Sequence, residues 1–130
     1  MAIKQVNNLQ QMLEYALSLV DELTVDQALA LYQQPGFQFI DLRDTQELTD
    51  EGFISGAFNC PRGVLEFWAD PNSEDAKPEF HSGDTLILFC AGGLRSALAA
   101  KTLLDMGFNN VKHIGGGFAA WKEQGGRTDV

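Results

Sequence analysis

Cys90 closes an apolar run, Leu86-Ile-Leu-Phe89, and Arg95 follows it across a loop that contains Gly92 and Gly93. A helical pattern opens at Ser96, in which only Lys101, Thr102 and Asp105 form a narrow polar edge. The spacing predicts a thiol where a buried strand gives way to a helix N-terminus. The first amides of a helix lack intrahelical partners and carry positive partial charge, so they favour an anion. A thiol is a nucleophile only as thiolate, and such surroundings promote its ionisation. Glycines let loop amides turn inward as a nest around sulfur. The chemistry indicated is covalent catalysis by Cys90, with Ala91, Gly92, Gly93, Leu94, Arg95 and Ser96 as the cradle for sulfur and substrate. A buried structural thiol is the ordinary reading of a lone cysteine; the glycine loop and its terminal arginine weigh against it.

Other charged residues gather at predicted strand ends. Phe37 to Leu42 reads as a strand, with Asp41 and Arg43 at its carboxyl end, and Asp44-Thr-Gln-Glu47 reads as the capping box of a short helix. Arg95 has two readings: binding an anionic donor, or pairing with Asp41 or Glu47 to brace the loop. Bracing is preferred, because an unpaired arginine at a strand end is costly to bury. Arg43 has the same choice, with Glu47 or Asp44 as its local partner. Arg62 and Trp68 follow another strand end and are candidates for a pocket rim, although Trp68 also fits the core. Cys60 reads as a small buried hydrophobe rather than a second reactive thiol.

The elements that must position these residues alternate. Leu9, Met12, Leu13, Ala16 and Val20 recur at helical spacing, with Asn7 or Asn8 as cap. Residues 1–22 are expected to form a helical extension packed on a domain spanning 23–130. Thr24-Val-Asp-Gln27 is a second capping box, and Pro35-Gly36 ends the helix it opens. Ala57–Cys60, Thr85–Phe89 and Val111–Ile114 are strand candidates. The run after Thr85 is apolar throughout, which predicts a central strand covered on both faces. A last helix follows Gly115-Gly116-Gly117 and carries Trp121 as a core anchor. Strands alternating with helices predict an α/β fold with a central, mainly parallel sheet flanked by helices. Ligands of such sheets sit beyond the strands' carboxyl ends, where Cys90, Asp41 and Arg43 all fall.

The 130 residues suit one domain, and the net charge of −9 argues against nucleic acid or an anionic membrane surface as partner. No stretch resembles a signal peptide or a membrane span, and two cysteines make no disulfide framework, so a cytoplasmic, reducing setting is expected. His81 and His113 stand apart, with no metal-ligand spacing, and neither a metal nor a cofactor is expected.

Taken together, Phe39-Ile-Asp41-Leu-Arg43 with Glu47, Gly52-Phe-Ile54-Ser-Gly56-Ala57, Cys90-Ala-Gly-Gly-Leu-Arg95-Ser96 and Gly116-Gly117-Phe118-Ala-Ala-Trp121 resemble the single-domain rhodaneses, a sulfurtransferase family. The resemblance covers about Leu23 to Gly126. It implies the rhodanese-like three-layer fold and a persulfide formed on Cys90. Its implied partners are a small sulfur donor, thiosulfate or a persulfide, and a thiol, cyanide or protein thiol as acceptor. Members that favour thiosulfate carry basic residues where this loop has Ala91, Gly92 and Gly93, and a histidine common in the middle motif is Phe53 here. Two alternatives are a persulfide carrier without independent turnover and a phosphatase or arsenate reductase. The related phosphatase families have a loop one residue longer than Cys90–Arg95.

Overall fold

The computed structural model describes residues 7–130; residues 1–6 of the N-terminal extension lie outside that range. In chain order the elements are α1 (Leu9–Leu19), β1 (Asp21–Leu23), α2 (Val25–Leu31), β2 (Phe37–Asp41), α3 (Thr45–Glu51), β3 (Phe58–Asn59), α4 (Leu65–Ala69), β4 (Thr85–Phe89), α5 (Leu94–Asp105), β5 (Val111–Ile114) and α6 (Gly117–Glu123). The strands form one five-stranded sheet in the order β1-β5-β4-β2-β3, with every pair parallel. Crossover helices cover both faces, giving the three-layer architecture expected of alternating strands and helices.

Side chains alternate across the pleat, so β4 feeds both layers. Leu86 and Leu88 join Ile40, Leu65, Ala99, Ala100 and Leu103 under α4 and α5. Ile87 and Phe89 join Ala28, Phe39, Ile114, Phe118 and Trp121 under α2 and α6. Leu86 through Phe89 are all fully buried, as the unbroken apolar run requires of a central strand. Burying each such side chain contributes about 1.5–3 kcal/mol. The same alternation sets Cys90, one residue beyond β4, on the α5 side.

Local signals place the helices. The Asn8–Gln11 and Thr24–Gln27 capping boxes both form, which selects Asn8 over Asn7 as the first cap. Three elements differ from the sequence expectation. α2 stops at Leu31, with Tyr32 as its C-cap, before the chain reaches Pro35-Gly36. β1 has no apolar alternation to betray it, since Asp21 and Glu22 are exposed and only Leu23 is partly buried; its pairing with β5 makes it an edge strand. Helix α5 starts at Leu94, two residues before the expected Ser96, because Gly93 takes a left-handed conformation (φ 100°) and serves as the cap. α1 lies on α5, with Ala16 buried and Leu9, Met12 and Tyr15 largely exposed.

Candidate active site

Cys90 leaves the end of β4 and is 1 % exposed. The chain then curls so that two backbone N–H groups donate to Sγ, from Gly93 at 3.2 Å and from Ser96 at 3.4 Å. The Ser96 hydroxyl lies 3.7 Å from the sulfur. The loop holds this shape because its carbonyls are occupied on the outside. The first turn of α6 donates to them, Phe118 N to Cys90 O at 2.8 Å and Ala119 N to Ala91 O at 3.0 Å. With carbonyls pulled outward, the loop amides face in. That contact requires glycine at 117: its φ is 59°, and a Cβ there would run into Cys90 O and the Ala91 carbonyl. Of the remaining loop residues, Gly92 and Leu94 face solvent, Ala91 is half-buried, and Gly93 and Ser96 are buried.

Arg95 grips Glu47 with both arms of its guanidinium, at 2.8 and 3.0 Å. The hydrogen bond from Arg95 is the chief reason the Glu47 carboxyl is lowered to about 2, and Glu47 in turn raises Arg95. Glu47 also accepts from the Asp44 N–H at 3.1 Å, so one carboxylate ties the start of α3 to the start of α5. Of the two carboxylates the bracing reading offered, Asp41 and Glu47, the contact is with Glu47.

Arg43 departs from expectation. Its partner is neither Glu47 nor Asp44 but Asp41, two residues back. Nε is 3.0 Å from Asp41 Oδ1 and one terminal nitrogen is 2.8 Å from Oδ2. That same nitrogen donates to Gly52 O at 2.9 Å, and the guanidinium lies 3.9 Å from the centre of the Phe118 ring. Both residues are buried, Arg43 at 0 % and Asp41 at 1 % exposure. A buried arginine needs a carboxylate equally shielded from water, and Glu47 and Asp44 are not. The pair is a strut beneath α6, and so beneath the loop that α6 grips, without touching Cys90. Asn59 reinforces it by donating to the carbonyls of Asp41 and Arg43 at 3.0 and 2.9 Å.

The two proposed rim residues separate. Arg62 shares with Arg95, Leu98, Tyr15 and Met12 a cavity of about 570 Å³ between α1 and α5. Trp68, on α4, packs instead against Phe58, with ring centres 5.8 Å apart, and lies against the core. Cys60 is fully buried, and burial pushes its thiol up to about 12, which keeps it protonated and unreactive. His113 does not stand apart. Its Nδ1 is 3.0 Å from Ser96 Oγ, directly behind the cysteine. The signal was available: His113 is two residues from Val111 in β5, and so faces α5 with it.

A parallel three-layer sheet with a cysteine loop clasped between two helices at its carboxyl edge defines a class. The chain matches the family described as "Rhodanese-like domain" over residues 24–124 and belongs to it. It is 31 % identical over 107 residues to thiosulfate sulfurtransferase GlpE of Shewanella oneidensis, covering 82 % of this chain and 97 % of that protein. A mouse protein, thiosulfate sulfurtransferase/rhodanese-like domain-containing protein 3, is 29 % identical over 104 residues; the match takes in 76 % of this chain and 66 % of the mouse protein's length. Among solved structures, a Rhodopseudomonas palustris protein of unknown function, described as a possible tyrosine phosphatase, is 44 % identical with a TM-score of 0.93, over 99 % of both chains. Among the described residues no helix is long and apolar enough to cross a membrane.

Proposed function

We propose that the protein is a sulfurtransferase that carries sulfane sulfur from thiosulfate or a persulfide donor to a thiophilic acceptor as a Cys90 persulfide. The observation that supports this most directly is the convergence of the Gly93 and Ser96 amides on Cys90 Sγ. Fixed donors aimed at a sulfur need no reorganisation when that sulfur becomes anionic. In the first half-reaction the Cys90 thiolate attacks the outer sulfur of the donor. A sulfur–sulfur bond forms to Cys90 as the donor's own bond breaks, and thiosulfate departs as sulfite with the bonding pair. In the second, cyanide or a thiolate attacks the terminal sulfur, leaves as thiocyanate or a new persulfide, and returns the Cys90 thiolate. Two displacements replace one difficult transfer. Asp41, Arg43, Glu47 and Arg95 hold the loop in shape rather than touch the sulfur. A reducing, cytoplasmic setting would keep Cys90 free for this cycle.

The description of the Rhodopseudomonas protein raises phosphate ester hydrolysis as the second reading. Two features of this chain oppose it. The Cys90–Arg95 loop is short for a tetrahedral oxyanion, and the Arg95 guanidinium that would receive that anion is already held on two sides by Glu47. The test assays wild type, Cys90→Ser and Cys60→Ser with thiosulfate plus cyanide, with a small-thiol persulfide, and with an aryl phosphate. Sulfur transfer lost only in Cys90→Ser, and negligible phosphate hydrolysis by all three, is the expected result. Cys90-dependent phosphate hydrolysis without sulfur transfer would overturn the assignment.

A further inference from the structure

The Cys90 thiol is shut away from water, yet it must lose a proton before it can attack. At its back a line of polar groups leads toward the edge strand. Ser96 Oγ is 3.7 Å from Sγ and 3.0 Å from His113 Nδ1. The ring is 1 % exposed, and its Nε2 has no hydrogen bond; Glu22 Oε2 lies 3.4 Å from it. Glu22 stands opposite His113 in the β1–β5 register and is half exposed on the edge strand. From mouth to far edge the order is thiol, hydroxyl, imidazole, carboxylate, solvent.

We propose that Ser96, His113 and Glu22 form a proton relay that ionises Cys90 through the back of the sheet, with His113 as the acceptor of the thiol's proton. This rests on Cys90 being the sulfur nucleophile. In the resting state the S–H faces Ser96 Oγ, the Ser96 O–H donates to Nδ1 of a neutral ring, and Nε2–H faces Glu22. Ser96 passes its own proton to Nδ1 and takes the thiol's proton in exchange. The products are a Cys90 thiolate and a His113 imidazolium, with Ser96 neutral throughout and now donating to sulfur. Net charge is unchanged, no electron moves, and Glu22 balances the cation. His113 touches no substrate, so it is a positioning residue acting through Ser96.

The surroundings suit the acceptor role. The elements packed on β5 present Glu22 from β1, Cys90 from the end of β4 and the uncharged Ser96 from α5. Burial lowers the imidazole below its ordinary value, which keeps the resting ring neutral, and Glu22 opposes that shift by favouring the charged ring that follows proton transfer. The Ser96 hydroxyl also lies 3.3 Å from Gly93 O, the competing acceptor it leaves when it turns to the ring.

The test compares pH–rate profiles of sulfur transfer in wild type, His113→Asn, Ser96→Ala and Glu22→Gln. Asparagine keeps an acceptor near Ser96 but takes no proton at neutral pH, so a purely structural role would leave the profile in place. We expect the acid limb of His113→Asn and Ser96→Ala to move to higher pH, with a loss of roughly tenfold near pH 6 that closes by about pH 9. Glu22→Gln moves it less, in the same direction. A His113→Asn profile that superimposes on wild type, with Cys90→Ser inactive, overturns the relay alone; an active Cys90→Ser overturns the nucleophile assignment beneath it. If both back-side variants fail to fold, the His113 ring nitrogens are followed by NMR. Their titration differs between wild type and Cys90→Ser if the thiol's proton reaches the ring, and is identical if it does not.

Discussion

Arg95→Lys separates bracing from donor binding. The guanidinium makes two charge-assisted bonds to Glu47, at 2.8 and 3.0 Å. Lysine keeps the charge but presents a point donor that reaches one oxygen at a time. The pair is partly exposed, Arg95 at 38 % and Glu47 at 28 %, so solvent screens much of the Coulomb energy. The expected cost is about 1 kcal/mol, close to that of one charge-assisted hydrogen bond after screening. For a domain of this size that is a fall in Tm of about 3–5 °C. The cost reaches the chemistry because Arg95 precedes Ser96, whose N–H donates to the sulfur. A comparable loss at the sulfur would slow transfer about fivefold. Thermal melts and single-turnover sulfur transfer on the same preparation give both quantities. An unchanged Tm with unchanged kcat and a raised KM for an anionic donor would refute bracing and make Arg95 a donor-binding residue.

Two further outcomes follow from the same geometry. Arg43→Met should destabilise by about 3–5 kcal/mol, since it leaves the Asp41 carboxylate buried without its cation, and Arg43→Met with Asp41→Asn should recover much of that in urea unfolding; equal losses in the single and double variants would contradict the strut. The Arg95–Glu47 pair should also give a signature in acid. Glu47 is lowered from 4.5 to about 2, chiefly by the Arg95 hydrogen bond, so its contribution is fully present above its ordinary value and is lost as pH falls toward the folded one. The Tm advantage of wild type over Glu47→Gln should therefore hold steady above about pH 5 and shrink on the way to about pH 2; a gap independent of pH across that range would count against the pair.

Much of this site was legible before the fold. The Leu86–Phe89 run announced a central strand, and Cys90 with its glycine loop announced the cradle, because burial and backbone freedom leave marks in composition. Partners were harder to read. Asp41 pairs with Arg43 because both are shut from water, and shielding is a property of the layers above them rather than of spacing along the chain. β1 escaped because a three-residue polar edge strand has no alternation, its identity coming from its pairing with β5. His113 looked solitary since its partners, Ser96 and Glu22, lie far away in sequence and meet only across the sheet. α5 began early at Leu94 because a left-handed Gly93 can cap a helix without the polar side chain that marks most helix starts.

Intact-protein mass measures directly whether a sulfur atom is held on Cys90. Wild-type protein is incubated with thiosulfate and, separately, with a small-thiol persulfide, then desalted and weighed before and after cyanide. The proposed Cys90 persulfide requires a gain of one sulfur from at least one donor, its removal by cyanide with thiocyanate released, the same gain in Cys60→Ser and none in Cys90→Ser. No gain in wild type from either donor, or an equal gain in Cys90→Ser, would contradict it.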